Sequence, residues 1–225
     1  WSGLIEQGLR RRMVVEPFLR LAGVSLEEVR HATRMRLFGP DVDEPVIACG
    51  HQPEFAHPGV WAKHVVVREV ASHLGLHGVD LVVDNDAPHS VALVLPDVDE
   101  QGFVSRDPIS VLNGVSGAAY ESRPPLSPTV IDAIQRRSAG TLAGTLIPNE
   151  GRLADKSLLF KYFRGMALPT RPRDFVEQHL AGRARIDRPL SADLQEVRVS
   201  EAFDGAFLAD ILLNLDRFAD AYNTS

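Results

Sequence analysis

The sequence is poor in cysteine, in aromatic residues and in long apolar runs. Cys49 is the one cysteine among 225 residues, which excludes an intrachain disulfide and a zinc site built from several cysteines. So little cysteine is typical of a reducing cytosol. No apolar run reaches the roughly 18 residues that a membrane-spanning helix needs, and the N-terminus has no apolar signal-peptide core. We therefore expect a cytoplasmic protein with no membrane partner.

Positive charge is also in short supply. The chain has 24 Lys and Arg against 30 Asp and Glu, a net charge of −6, which argues against nucleic acid as the main partner. Hydrophobic residues make up 44%, so disorder of the whole chain is excluded. The sequence starts at Trp1 without an initiator methionine, and we expect a partial chain. A missing partner domain and a homo-oligomer both remain open.

We expect one domain over residues 1–225, made of an N-terminal helical part, an α/β core and a helical extension. These parts are residues 1–40, 45–150 and 151–225. In the first part, a capping box formed by Ser25 and Glu28 predicts the start of a helix. In the last part, apolar residues at three- and four-residue steps predict an amphipathic helix over residues 200–222.

The α/β core is predicted from two short apolar runs with a helical pattern between them. Residues 45–50 and 79–84 read as buried strands, and residues 60–74 read as the helix that joins them. This order is the βαβ unit of a parallel sheet. Residues 91–95 are predicted to form a third strand, either a hairpin partner or an edge, and residues 96–128 to be irregular.

The loop between the first strand and its helix carries groups that can bind an anion. In open parallel sheets, ligands bind outside the carboxyl ends of the strands. A helix N-terminus at that edge offers free backbone N–H groups and a positive dipole end. The polar or glycine positions of this loop and helix start are Gly50, His51, Gln52, His57, Gly59 and Lys63. The pattern indicates a phosphate or carboxylate ligand there.

The second predicted strand ends in the acidic run Asp84-Asn85-Asp86. Neighbouring parallel strands end at the same edge, so we expect this run to face His51 and His57 across one crevice. If the strand extends that far, Asp84 and Asp86 lie on one face of it. Carboxylates there can hold a ribose hydroxyl, a substrate amine or a Mg²⁺ ion bound to phosphate.

Six of the eight histidines lie between positions 51 and 89. Three of them, His64, His73 and His77, fall in or just after the predicted helix, and we interpret them as surface or packing residues. We interpret Cys49 as a small buried strand residue, because nothing near it in the sequence favours a thiolate.

The segment from Gly50 to Lys63 resembles the opening loop of two related bacterial families. One is the cysteine-adding enzyme of bacillithiol synthesis, similar at Gly50, Gln52, Gly59, Trp61 and Lys63. The other is the WbqC-like family, similar at His51-Gln52-Pro53, Gly59 and Lys63. In this sequence the lysine falls earlier than in either family pattern. The resemblance implies a Rossmann-like fold of the HUP type, related to nucleotidyltransferases, with His57 at the phosphate loop.

Taken together, the residues and the resemblance favour a nucleotide-dependent transferase or ligase acting on a small-molecule substrate. ATP or another nucleotide is the expected ligand, with Mg²⁺ as an optional cofactor. His51, His57 and Lys63 are the catalytic candidates, because they can stabilise phosphate charge in a transition state. The binding candidates are Gly50, Gln52, Gly59, Asp84, Asn85 and Asp86.

Two other functions remain open. A metal-dependent hydrolase can be built from histidine and aspartate ligands, and the residues available for it are His51, His57, Asp84, Asp86 and His89. No compact ligand motif of the His-Glu-x-x-His type supports that function. The other alternative is a non-catalytic binding or assembly module, in which the amphipathic tail helix packs on a second subunit or a missing domain.

Overall fold

The computed structural model describes residues 20–39, 45–55, 58–88, 90–112, 117–145, 158–202 and 205–224. The contacts divide the chain into two compact units, one of residues 1–46 and 197–225 and one of residues 47–196. None of the helices in the described ranges has the length and apolar character needed to cross a bilayer.

The first unit opens with a small antiparallel hairpin of β1 (Arg20–Leu21) and β2 (Val24–Ser25). Helix α1 (Leu26–Phe38) follows directly. Its N-cap Ser25 accepts the Glu28 backbone N–H, and the Glu28 carboxylate accepts the Ser25 N–H at 2.9 Å. The predicted capping box is therefore confirmed. The prediction of helix throughout the first forty residues is wrong at the hairpin, and residues 1–19 lie outside the described ranges.

The C-terminal part of this unit is helical, as predicted, but it is divided into short pieces. They are α6 (Val199–Ala202), α7 (Gly205–Leu213) and α8 (Leu215–Thr224), with Asn214 as a turn between the last two. Four leucines around that turn are exposed: Leu208, Leu212, Leu213 and Leu215. The prediction of one continuous amphipathic helix over residues 200–222 is therefore wrong.

The second unit contains the predicted βαβ unit. Strand β3 (Val46–His51), helix α2 (Pro58–Leu74) and strand β4 (His77–Val82) follow one another. A short late strand, β7 (Gln195–Arg198), completes a three-stranded parallel sheet of order β3-β4-β7. The prediction of a helical extension over residues 151–225 is wrong at β7. The α/β class with a parallel sheet is confirmed.

The third predicted strand is half of a long antiparallel hairpin. Strand β5 (Val91–Val98) pairs with β6 (Val104–Leu112), with Val98 opposite Val104 at the closed end. In β5, Val91, Leu93 and Leu95 are buried while the residues between them are exposed. The prediction of irregular structure over 96–128 is wrong for β6. Most of β6 is solvent-exposed, so it lacks the apolar alternation by which a strand is found.

Three helices complete the second unit: α3 (Pro128–Thr145), α4 (Leu158–Met166) and α5 (Phe175–Asp187). Pro128 is the first residue of α3, as expected from proline's preference for that position. Helix α5 begins after Asp174, whose carboxylate accepts the Glu177 backbone N–H at 2.9 Å. The buried faces of α4 and α5 join the inward residues of β5 in one apolar core.

Candidate functional site

The carboxyl end of β3 lies tightly against β4. A side chain at Gly50 would place its Cβ 3.1 Å from the Leu81 carbonyl oxygen, closer than such atoms normally approach. One residue on, the His51 carbonyl accepts the Val83 backbone N–H at 3.0 Å. The predicted first strand therefore ends where the sequence indicated, next to the end of β4.

Helix α2 places the side chain of Lys63 near the carboxyl end of β3. Lys63 is exposed, and its Nζ lies 3.5 Å from the Gly50 carbonyl oxygen. The first turn of α2 has no acidic residue, so nothing there offsets the positive end of the helix dipole. Gly59 is exposed in that same turn. The ammonium group of Lys63 therefore lies at the end of β3 and makes one long hydrogen bond there.

The acidic run after β4 reaches the same edge through one of its members. Gln52 Nε2 donates to Asp86 Oδ2 at 3.3 Å, and Asp86 Oδ1 accepts the Ala87 backbone N–H at 2.8 Å. The expected meeting of the two strand ends is thus seen between Gln52 and Asp86. Asn85 is exposed beside them.

Asp84 behaves differently from Asp86. Strand β4 ends at Val82, so it does not extend far enough to place both carboxylates on one face, and that expectation is wrong. The Asp84 side chain is fully buried, whereas Asp86 is exposed. The backbone carbonyl of Asp84 accepts the Glu121 N–H at 2.9 Å. Of these two carboxylates, that of Asp84 is therefore buried and that of Asp86 is exposed.

The histidines of the loop are only partly described. His51 is half-buried, and its Nδ1 lies 3.0 Å from the Gln52 carbonyl oxygen. A ring nitrogen facing a carbonyl donates to it, so Nδ1 carries the proton and Nε2 can accept or bind a ligand. His57 and His89, which the sequence also nominated, lie outside the described residues.

A buried tyrosine, Tyr120, forms hydrogen bonds both to the loop after β3 and to the residues after β4. The Tyr120 hydroxyl donates to the Glu54 carboxylate, and the Tyr120 backbone N–H donates to the Asp86 carbonyl at 3.0 Å. Burial, followed by the Glu54 carboxylate, raises the pKa of Tyr120. The phenol therefore remains a neutral donor, and it fixes both the β3 loop and the residues after β4.

Beneath this edge lies a buried ion cluster of four side chains: His64, Asp80, Arg183 and Asp187. Arg183 Nη1 donates to Asp80 Oδ2 at 2.8 Å, and Arg183 Nε donates to Asp187 Oδ2 at 3.1 Å. Arg183 Nη2 lies 3.2 Å from His64 Nδ1. Because arginine can only donate, His64 Nδ1 is the acceptor and its proton lies on Nε2. The cluster joins α2, β4 and α5.

Two further groups act on the ion cluster. Trp61 Nε1 donates to Asp187 Oδ1 at 2.7 Å, which gives the second oxygen of that carboxylate a partner. Glu196 is in the electrostatic range of Arg183, Asp80 and Asp187. Burial raises its pKa to about 7, against the opposing effect of Arg183.

Cys49 lies beside the cluster. Its Sγ, a ring nitrogen of His64 and a carboxylate oxygen of Asp80 all lie within 4.8 Å of one another. The residue is half-buried rather than fully buried as expected. Burial, followed by the Asp80 charge, raises the pKa of the thiol to about 11. Cys49 is therefore a neutral thiol at physiological pH and is not a nucleophile by itself.

Another buried polar pair lies in the apolar core. Tyr162 Oη lies 2.7 Å from His179 Nδ1, and both side chains are buried. Burial lowers the pKa of His179 well below its usual range, so this imidazole is neutral. The pair borders a small apolar cavity with Phe55, Leu93 and Phe175.

The ion cluster is not among the features that the sequence predicts. His64 was assigned to packing or the surface, and neither Arg183 nor Asp187 was nominated. One signal was present, because Asp80 interrupts the apolar run of β4. A charge in the middle of a buried strand requires a partner.

Comparison of the chain with family models, curated proteins and solved structures gives no match. The interpretation of the site therefore depends on its own geometry.

Proposed function

We propose that the protein binds a nucleotide or another phosphorylated small molecule over the Gly50–Gly59 loop and acts on it as a transferase or ligase. The observation that carries the proposal is the position of Lys63. The helix that follows the loop brings its Nζ back to within 3.5 Å of the Gly50 carbonyl. An exposed cation, a helix N-terminus and the edge of a parallel sheet lie close together, which is the usual setting for a phosphate in an α/β protein.

The neighbouring side chains suit the rest of such a ligand. His51 has one ring nitrogen occupied by the Gln52 carbonyl and the other left to accept or, when protonated, donate. Asp86 is exposed beside Gln52 and can take a sugar hydroxyl or a Mg²⁺ ion. The resemblance of Gly50 to Lys63 to two bacterial families agrees with this assignment, and it would place His57 next to the phosphate.

Chemistry at such a site depends on position and charge rather than on a nucleophile. Lys63, with His51 and His57, would stabilise the charge that develops on the transferred phosphate or its leaving group. Asp86 would fix the sugar or the metal ion. The neutral thiol of Cys49 has no part in this step.

Thermal unfolding with ATP, ADP and CTP, each with and without Mg²⁺, tests the proposal. A ligand at about 100 times its Kd stabilises the folded state by about 2.7 kcal/mol. Lys63→Ala removes a charged hydrogen-bond donor worth about 1.5–3 kcal/mol, so affinity should fall roughly tenfold to a hundredfold. Lys161→Ala, at an exposed lysine of α4, is the matched control and should bind as the parent does.

The outcome that contradicts the proposal is a nucleotide shift equal in the parent, Lys63→Ala and Lys161→Ala, or no shift with any nucleotide. His57→Ala provides a separate check on the loop. A shift that survives in His57→Ala but is lost in Lys63→Ala would place the phosphate at the start of α2 without that histidine.

A further inference from the structure

We infer that Cys49, His64 and Asp80 form a binding site for a divalent cation of the zinc class, separate from the nucleotide edge. The three residues come from β3, α2 and β4, and their ligand atoms lie within 4.8 Å of one another. A thiolate, an imidazole and a carboxylate are ligands of the kinds that zinc takes in proteins. Three protein ligands also leave a fourth position for water or a substrate, as in catalytic zinc sites.

The first support is the position of two buried polar atoms. His64 Nε2 and Asp80 Oδ1 face each other at 3.4 Å, and neither makes a hydrogen bond of normal geometry within the described part of the chain. Both side chains are almost completely buried, with 0% and 1% exposed. Two ligands held about 2.1 Å from a tetrahedral zinc ion lie about 3.4 Å apart. Without an ion the contact is a long one from the protonated Nε2, and it contributes to lowering the pKa of Asp80; the same spacing also matches two ligands of one ion.

The second support is the charge around these atoms. Asp80 and Asp187 carry two negative charges, and Arg183 supplies one positive charge between them. Glu196 adds a further carboxyl group within electrostatic range of the same residues. These carboxyl groups offset Arg183 and Lys63, both of which act on Cys49, and a bound cation would contact the Asp80 oxygen that Arg183 leaves open.

Arg183 does not block the site. It holds Asp80 through Oδ2, at 2.8 Å, and so leaves Oδ1 to the ion. Its Nη2 lies 3.0 Å from Asp187 Oδ2 as well as near His64 Nδ1. When a metal takes His64 Nε2, the proton of that atom moves to Nδ1, so Arg183 Nη2 loses Nδ1 as its acceptor, has to turn away from the ring, and keeps its bond to Asp187. The thiol of Cys49 releases its proton to solvent on binding.

The single cysteine makes the site directly measurable. Alkylation of the full chain by iodoacetamide reports Cys49 alone. Zn²⁺ should slow this alkylation at least about tenfold, since a metal-bound thiolate is shielded, and a chelator should restore the rate. Co²⁺ should give a sulfur-to-cobalt charge-transfer band together with the intense visible bands of a tetrahedral site.

His64→Gln should abolish both the protection and the cobalt bands, whereas His73→Gln, an exposed histidine of the same helix, should preserve them. Cys49→Ser tests the sulfur at a half-buried position that tolerates the change, and it should lose the charge-transfer band. Unchanged alkylation with saturating Zn²⁺ would overturn the inference. A sulfur-to-cobalt charge-transfer band that persists in Cys49→Ser would overturn it too, because its sulfur ligand could not then be Cys49.

Discussion

Arg183 donates from Nη1 to Asp80 Oδ2 at 2.8 Å, and no more than 5% of either side chain is exposed. The two residues are 103 positions apart in the sequence. Their pairing fixes α5 to the central strand β4, directly below the edge where the candidate ligand residues lie. Because Arg183 also holds Asp187, one guanidinium is the shared ion-pair partner of two buried carboxylates.

Removal of this guanidinium should be costly. Arg183→Met would leave Asp80 and Asp187 buried without a countercharge, and breaking a buried pair in this way costs about 3–5 kcal/mol. Urea unfolding followed by circular dichroism measures the loss. Arg68→Met is the control, since Arg68 pairs with Asp193 at the surface and such pairs are worth less than about 1 kcal/mol. Equal losses in the two variants would contradict the assigned role of the cluster.

Two helical glycines should respond in opposite ways to alanine. At Gly165 an added Cβ would lie 2.5 Å from the Ala181 carbonyl oxygen and 2.7 Å from the Gly182 Cα, so α4 and α5 would be forced apart. We expect Gly165→Ala to cost at least about 2 kcal/mol. At Gly140 a Cβ meets nothing within 4 Å, and alanine there should stabilise α3 by about 0.5–1 kcal/mol. Differential scanning calorimetry measures the change in stability of both variants. A Gly165→Ala variant that is more stable than the parent would show that α4 and α5 do not pack this closely.

The Glu196 carboxyl group should lower stability as the pH rises from about 4.5 to about 7, in opposition to the buried neutral His179, which raises stability as the pH rises toward 6.5. Burial raises the pKa of Glu196 from 4.5 to about 7 in the folded chain, so the folded state retains a proton that the unfolded state has lost in this range. Below pH 4.5 the carboxyl group is protonated in both states and does not change the free energy of unfolding. Between pH 4.5 and pH 7 it lowers that free energy increasingly, by as much as about 3 kcal/mol.

Urea unfolding of metal-free protein at several pH values measures this effect. Glu196→Gln should remove the falling contribution, so that stability rises more with pH than in the parent, and it should unfold at higher urea than the parent at pH 7. Arg183, Asp80 and Asp187 are the charged groups that act on Glu196, and they are unchanged in the variant. A slope that is identical in Glu196→Gln would assign the pH dependence to another group.

The leucines around Asn214 should govern self-association rather than stability. Leu212 and Leu213 are 64% and 74% exposed, so polar substitutions there remove little buried area. We expect Leu212→Gln with Leu213→Gln to change the free energy of unfolding by less than about 0.5 kcal/mol. Light scattering should show any oligomer of the parent reduced in the double variant. An oligomer of the same size in both proteins would place the interface elsewhere.

The parts of the fold that could be predicted are those whose signal is local. The capping box at Ser25 and Glu28 lies within one turn of helix. The strand-helix-strand order of β3, α2 and β4 is indicated by apolar patterns that follow one another along the chain. Strand β6 could not be found in this way. It is exposed over most of its length and is held by its register with β5, which depends on residues across the hairpin.

The same limit separates the two halves of the site. The edge residues Gly50, Gln52 and Lys63 lie within one loop and helix start, so strand-end rules could nominate them together. The ion cluster depends on Arg183 and Asp187, which are distant in sequence from Asp80 and look like ordinary residues of a surface helix. The burial of α5 becomes apparent only in the folded structure.

The late position of β7 affects how the chain must be assembled during synthesis. Strand β4 lies between β3 and β7, and Gln195 is made long after β4 leaves the ribosome. Until then, one row of backbone groups on β4 stays open, while the β5–β6 hairpin can close at once because its partners are neighbours. A nascent chain is thus vulnerable to intermolecular strand pairing from the synthesis of β4 until that of β7. Chains truncated before Gln195 should aggregate more than those that include Arg198, which pelleting of translated products would show.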